Sequence, residues 1–128
     1  MRALVIDDNQ EILDVLSYFF EINEIECQIV CNPEDGLSRL RRKEPYDVIL
    51  LDLAMPNFSG FDVVNTMKQE NLLQEYNVII ITALNLGIDE VNLLLQEGVK
   101  EIVSKPLSIQ NLEEVTQKYL TNRRVGLA

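Results

Sequence analysis

Short runs of consecutive apolar residues alternate along this chain with longer segments whose apolar residues recur every three or four positions. Residues 3–6 (ALVI) form the first run and predict a buried strand. A helix is expected from about 11 to 22, with Ile12, Val15, Leu16, Phe19 and Phe20 at helical steps and Asn9 as N-cap. Residues 27–30 read as a weaker second strand. Asn32 can cap the next helix, with Pro33 at its first position and Leu37 and Leu40 facing inward. Residues 47–53 (DVILLDL) predict strand three, PNFSG a turn-rich loop, and 61–70 a helix. Residues 77–82 (NVIIIT) predict strand four. A helix over Ile88–Glu97 then shows Ile88, Val91, Leu94 and Leu95 as a core-facing stripe and ends at Gly98. Glu101–Ser104 is a short fifth strand, and Ser108 can cap a last helix running to about 120.

The order is therefore strand–helix, five times over. It predicts an α/β fold: a doubly wound, five-stranded parallel sheet with right-handed crossovers and helices on both faces. A chain of 128 residues favours one domain, large enough to bury roughly two-thirds of its unfolded surface. In open sheets of this kind, ligands bind beyond the carboxyl ends of the strands.

Those ends are where polar residues interrupt the apolar runs. Strand one runs out at Asp7 and Asp8, strand three at Asp52, strand four at Thr82 and strand five at Lys105. Asp52 is the most pointed case, because a carboxylate in a buried strand is costly unless something compensates it. Three converging carboxylates repel one another, and Lys105 supplies a single positive charge. An oxygen-liking divalent ion such as Mg²⁺ fits that deficit and keeps water positions open for a phosphate ligand. The set suits phosphoryl transfer, with Asp52 as nucleophile, the metal and Lys105 as neutralising charges, and the Thr82 hydroxyl as a donor to a phosphoryl oxygen. Singly, each residue has an ordinary reading: a capping pair, a strand terminus, a solvated cation. The combination is what carries weight.

Composition narrows the field. Apolar residues at 47% and charged residues at 25% are those of a globular chain. No apolar run approaches membrane-spanning length and no leader opens the sequence, so a cytoplasmic location is expected. A formal net charge of −10 argues against direct nucleic-acid binding. Arg39, Arg41, Arg42 and Lys43 read as a solvated helix face, and Arg123 and Arg124 as a frayed end. Cys27 and Cys31 are not spaced for a metal or redox motif and read as small apolar residues near a strand. There is no histidine, which removes Ser-His-Asp and Cys-His catalysis and a phosphohistidine of the chain's own.

The segments VIDDNQEI, VILLDLAMPNFSGFD, IIITA and VSKPL, in this order and spacing, resemble the signatures of response-regulator receiver domains. The resemblance covers essentially the whole chain. It implies a CheY-like, flavodoxin-like sheet of order 2-1-3-4-5, with a receiver over residues 1–122 and a short tail over 123–128. It implies Asp52 as phospho-acceptor, Mg²⁺ bound by Asp8, Asp52 and the Ala54 backbone carbonyl, and Asp7 acting largely through metal-bound water. Lys105 would pair with the phosphoryl group, Thr82 would be the switch hydroxyl, and Ala83 the small residue beside the phosphate. Lys105-Pro106 matches the family's cis peptide, and Gly60 a position where a side chain is costly. The implied partners are a sensor histidine kinase or histidine phosphotransfer protein and an output protein. The implied state is a monomer or a phosphorylation-dependent dimer, and the limits of the chain favour a stand-alone receiver.

The sequence departs from the pattern at Ile102, three residues before Lys105, where the family usually carries Tyr or Phe, and at Leu107, where an aromatic is common. Without a ring at 102, movement of Thr82 is not coupled to an aromatic flip, and output is expected through the segment 84–97. Leu84, Leu86 and Leu93 hint at a partner-binding patch there. Other classes fare worse. A DxDx aspartyl-phosphate phosphatase needs an acid where Ala54 stands, and the five glycines form neither GxGxxG nor GxxxxGK. A degenerate receiver that binds partners without phosphorylation stays open because of Ile102.

Overall fold

The computed structural model describes residues 2–55 and 59–121; the expected tail over 123–128, with Arg123 and Arg124, and the PNF part of the β3–α3 loop lie outside them. The elements follow one another as β1 (Arg2–Ile6), α1 (Gln10–Ile22), β2 (Glu26–Val30), α2 (Pro33–Arg41), β3 (Val48–Asp52), α3 (Gly60–Gln69), β4 (Val78–Thr82), α4 (Ile88–Glu97), β5 (Glu101–Ser104) and α5 (Ile109–Thr116). A π-helical turn over Gln117–Thr121 continues α5. All strands pair in parallel, in the order β2-β1-β3-β4-β5. The expected fold and strand order are thus the observed ones.

The central strands bury both faces because their residues alternate between two cores. Leu4, Ile6, Ile49, Leu51, Val78 and Ile80 pack toward α2, α3 and α4. Ala3, Val5, Val48, Leu50, Ile79 and Ile81 pack toward α1 and α5, against Leu16, Phe20 and Leu112. Continuous apolar runs rather than alternating ones are what a sheet covered on both sides requires. β2 was the weaker strand in the sequence for the converse reason: it is an edge strand, and only Val30 in it is buried.

Helix starts are fixed locally. The Asn9, Asn32, Ser59 and Ser108 side chains each accept a backbone N–H of the first turn, and Ser59 completes a capping box with Asp62. Gly98 ends α4 with φ 126°, a conformation that L side chains rarely adopt.

Three expectations need correction. The stripe on α4 is not core-facing as a whole: Leu94 is buried and Val91 half-buried, but Ile88 is 77% exposed and Leu95 42%. Helical periodicity identifies an apolar face without saying whether anything covers it. The basic segment at the end of α2 is exposed yet not simply solvated, since Arg41 pairs with Glu70 at 2.7 Å, Lys43 with Glu75 and Arg42 with Glu44. Of the cysteines, Cys27 is half-buried in β2, where burial pushes its thiol up to about 11, while Cys31 is exposed. Among the described residues, no helix is long and apolar enough to cross a membrane.

Candidate functional site

Parallel pairing delivers every strand's carboxyl end to the same edge, and the register decides which residues meet there. Ile6 lies beside Leu51, so Asp7 and Asp52 emerge from adjacent strands in step. Asp52 lies beside Ile81, and Thr82 beside Ser104, one residue before Lys105. Ladder bonds hold these exits in place. The Asp7 N–H donates to the Val30 carbonyl at 3.2 Å, and the Lys105 N–H to the Thr82 carbonyl at 2.8 Å. Residues separated by most of the chain thereby share one cleft.

Alternation sorts them within it. Asp7, Asp52 and Lys105 continue the rows that pack toward α1 and α5, whereas Thr82, with Ile102, continues the row toward α4. Carboxylate oxygens of Asp7, Asp8 and Asp52 all lie within 4.8 Å of one another. Asp7 and Asp52 are only 2% and 3% exposed, while Asp8 opens to solvent. Lys105 Nζ lies 3.2 Å from Asp7 Oδ2 and 3.6 Å from Asp52 Oδ2. Backbone amides add partial positive charge: the Asn9 N–H donates to Asp7 Oδ1 at 2.8 Å, and the Ala54 N–H to Asp52 Oδ1 at 3.1 Å.

One lysine against three carboxylates leaves the cleft short of positive charge. Burial raises the Asp52 carboxyl above its ordinary value, and the charges of Asp7 and Asp8 push the same way; the Ala54 amide and Lys105 oppose them. Clustered hard oxygen donors, two buried and one open to solvent, fit a small divalent cation such as Mg²⁺ that retains part of its water shell.

The Thr82 side chain is buried, and its Oγ1 accepts the Leu84 N–H at 3.0 Å. Ala83 beside it is exposed. Ile102 is half-buried against the α4-side core. The Lys105-Pro106 peptide bond is cis, and Pro106 is exposed. The structure therefore brings Asp7, Asp8, Asp52 and Lys105 together, with Thr82 on the neighbouring row and Ala54 at the mouth.

Sequence reasoning missed two contacts. Lys105 lies closer to Asp7 than to Asp52, and the Thr82 hydroxyl is engaged by its own loop; both depend on side-chain reach. Gly60, expected where a side chain is costly, packs on the backbone of Asp52 and Leu53.

Comparisons with known proteins identify the family. The family model described as "Response regulator receiver domain" matches residues 3–117. The polar-differentiation response regulator DivK of Brucella anthropi is 28% identical over 118 residues, which are 92% of this chain and 94% of that protein. Hybrid signal transduction histidine kinase L of Dictyostelium discoideum is 26% identical over 127 residues, 94% of this chain but only 7% of that protein. The response regulator TrrA of Thermotoga maritima, solved in complex with Mg²⁺ and BeF, superposes with a TM-score of 0.75 at 26% identity, covering 93% of this chain and 98% of that one.

Proposed function

This chain belongs to the response regulator receiver family of two-component signalling, and from that premise we propose that it takes a phosphoryl group onto Asp52 from a partner's phosphohistidine and reports the change through altered protein contacts. The observation that supports this most is the pairing of a buried Asp52 with Asp7, Asp8 and a single compensating lysine. The chain has no histidine, so the donor residue belongs to a partner, a sensor histidine kinase or a histidine phosphotransfer protein.

In the proposed reaction an Asp52 carboxylate oxygen attacks phosphorus. The new P–O bond forms as the P–N bond to the partner's imidazole breaks, and the ring leaves after taking up a proton. Lys105, already within 3.6 Å of Asp52, exchanges part of its contact with Asp7 for the incoming phosphoryl oxygens. Asp8, Asp52 and the Ala54 carbonyl would hold Mg²⁺, with Asp7 beyond them through water; the ion supplies neutralising charge to the phosphoryl oxygens. The Thr82 oxygen accepts the Leu84 amide, which leaves its proton free to donate to the phosphoryl group. Ala83 leaves room beside it. Hydrolysis by water then returns the Asp52 carboxylate and inorganic phosphate. The acting unit is residues 1–122, in the cytoplasm.

Ile102 favours a second reading, a receiver that binds partners without phosphorylation, because no aromatic side chain follows Thr82 in its movement. Intact mass after incubation with Mg²⁺ and a small phosphodonor separates the two. One phosphoryl adduct, absent in Asp52→Ala and lost with chelator, is expected. No adduct with Mg²⁺ bound would select the second reading.

A further inference from the structure

Three strand ends at the cleft share one local device. Asp7, Asp52 and Thr82 each accept, through a side-chain oxygen, the backbone N–H two residues further on: from Asn9 at 2.8 Å, Ala54 at 3.1 Å and Leu84 at 3.0 Å. Such a turn fixes one oxygen of a carboxylate and so decides where the other faces. In both acids the fixed oxygen is Oδ1, and Oδ2 faces Lys105.

The turns differ in what holds the donated amide still. Ala54 has only a methyl group and Leu84 an exposed hydrocarbon, so neither side chain can make a hydrogen bond. Asn9 can. It is the N-cap of α1, at φ −84° and ψ 110°; its Oδ1 accepts the Ile12 N–H at 3.2 Å and its carbonyl the Leu13 N–H at 3.0 Å. One residue is thereby bonded forward to the first turn of a 13-residue helix and backward to the Asp7 carboxylate. The braced turn is also the tighter one. Asp7 lies closer to its amide than Asp52 does, 2.8 against 3.1 Å, and closer to Lys105, 3.2 against 3.6 Å.

We propose that Asn9 is a positioning residue: by capping α1 it holds the Asp7 carboxylate in the orientation that draws Lys105 to Asp7 and away from Asp52. Without the cap, the first turn of α1 frays, residue 9 leaves its extended conformation and the Asp7 carboxylate rotates. Lys105, already 3.6 Å from Asp52, then moves to that acid. Asp7 no longer offers the cleft a fixed oxygen, and the Asp52 oxygen that would attack phosphorus is engaged by an ammonium group. The effect on phosphoryl transfer rests on the reading of Asp52 given above; the pairing of Lys105 does not.

The test compares Asn9→Ala with Asn9→Ser, which restores a capping oxygen, and with Asn32→Ala, which removes the matching cap from α2, where Asn32 accepts the Asp35 N–H. Both alanine variants should keep the fold and lose similar thermal stability. In the metal-free protein the Lys105 ¹⁵Nζ signal should move in Asn9→Ala alone. Mg²⁺ should bind that variant about tenfold more weakly, the low end of what losing a group that orients a metal ligand costs. At saturating Mg²⁺ and phosphodonor, its rate of adduct formation should fall as well, and Asn9→Ser should recover all three readouts. An unmoved Lys105 signal in Asn9→Ala overturns the proposal. So does an equal change in Asn32→Ala, which would make the effect one of general stability, or a serine variant as impaired as the alanine one. If the parent forms no adduct, the reading of Asp52 fails, while the Lys105 signal and the Mg²⁺ affinity still decide the role of Asn9.

Discussion

Gly60 packs its bare α-carbon against the backbone of Asp52: a Cβ there would fall on the Asp52 carbonyl oxygen and 2.5 Å from the Leu53 Cα. The Gly60 N–H also donates to the Leu53 carbonyl at 3.0 Å. The first residue of α3 is thus seated on the strand end that carries the proposed nucleophile. Gly60→Ala should destabilise the protein by about 1–3 kcal/mol, because rigid backbone must move to admit the methyl group. Gly36→Ala is the comparison. Its Cβ would fall 2.6 Å from the tip of the buried Ile6 side chain, so it too should destabilise, but urea denaturation should find the loss smaller than for Gly60→Ala, because a side chain rather than backbone gives way and the helix gains from alanine.

Asp52→Asn should stabilise the metal-free protein at neutral pH. The folded-state pKa of Asp52 is raised above its unfolded value, mainly by burial. The folded state therefore holds that proton more tightly, a contribution present at low pH and lost as pH rises through the raised value. Above it, the ionised carboxylate works against the fold, and asparagine removes that cost. Thermal melts should place the variant a few degrees above the parent at pH 7, with the gap closing as pH falls toward the ordinary carboxylate range.

Lys105→Ala should do the reverse. It leaves Asp7 and Asp52 buried without their cation, a loss on the order of 3 kcal/mol for a broken buried pair. Chemical denaturation with and without Mg²⁺ checks the cause, since added Mg²⁺ should narrow the gap to the parent if lost positive charge is responsible.

Mg²⁺ itself should raise the melting temperature with the logarithm of its concentration once above Kd, adding about 2.7 kcal/mol of stability at a hundredfold excess over Kd. Asp8→Ala, which removes a solvent-open donor, should weaken that response with little effect on metal-free stability. Calorimetric titration reads the affinity directly; an Asp8→Ala protein with parental affinity would place the ion elsewhere.

The central strands were legible because each is apolar on both faces, and the site was legible because a parallel sheet sends all its carboxyl ends to one edge. Asp7, Asp8, Asp52, Thr82 and Lys105 could therefore be grouped without coordinates. The α4 surface was not legible: Ile88 and Leu95 have the spacing of core residues, and only three-dimensional packing shows that nothing among the described residues covers them. Nor was the attachment of Lys105 to Asp7, which depends on how far a flexible side chain reaches across two strands.

β5 is four residues long, pairs among the described residues with β4 alone and contains no fully buried residue, yet Lys105 follows directly from it. The carboxylates of Asp7 and Asp52 hang from the innermost strands, while their counter-charge hangs from the rim. Subglobal opening of that rim, readable as faster amide exchange in β5 than in β3, withdraws the lysine and leaves the acids in place. A cation shared across the cleft would then act as a clasp between the centre of the sheet and its loosest margin.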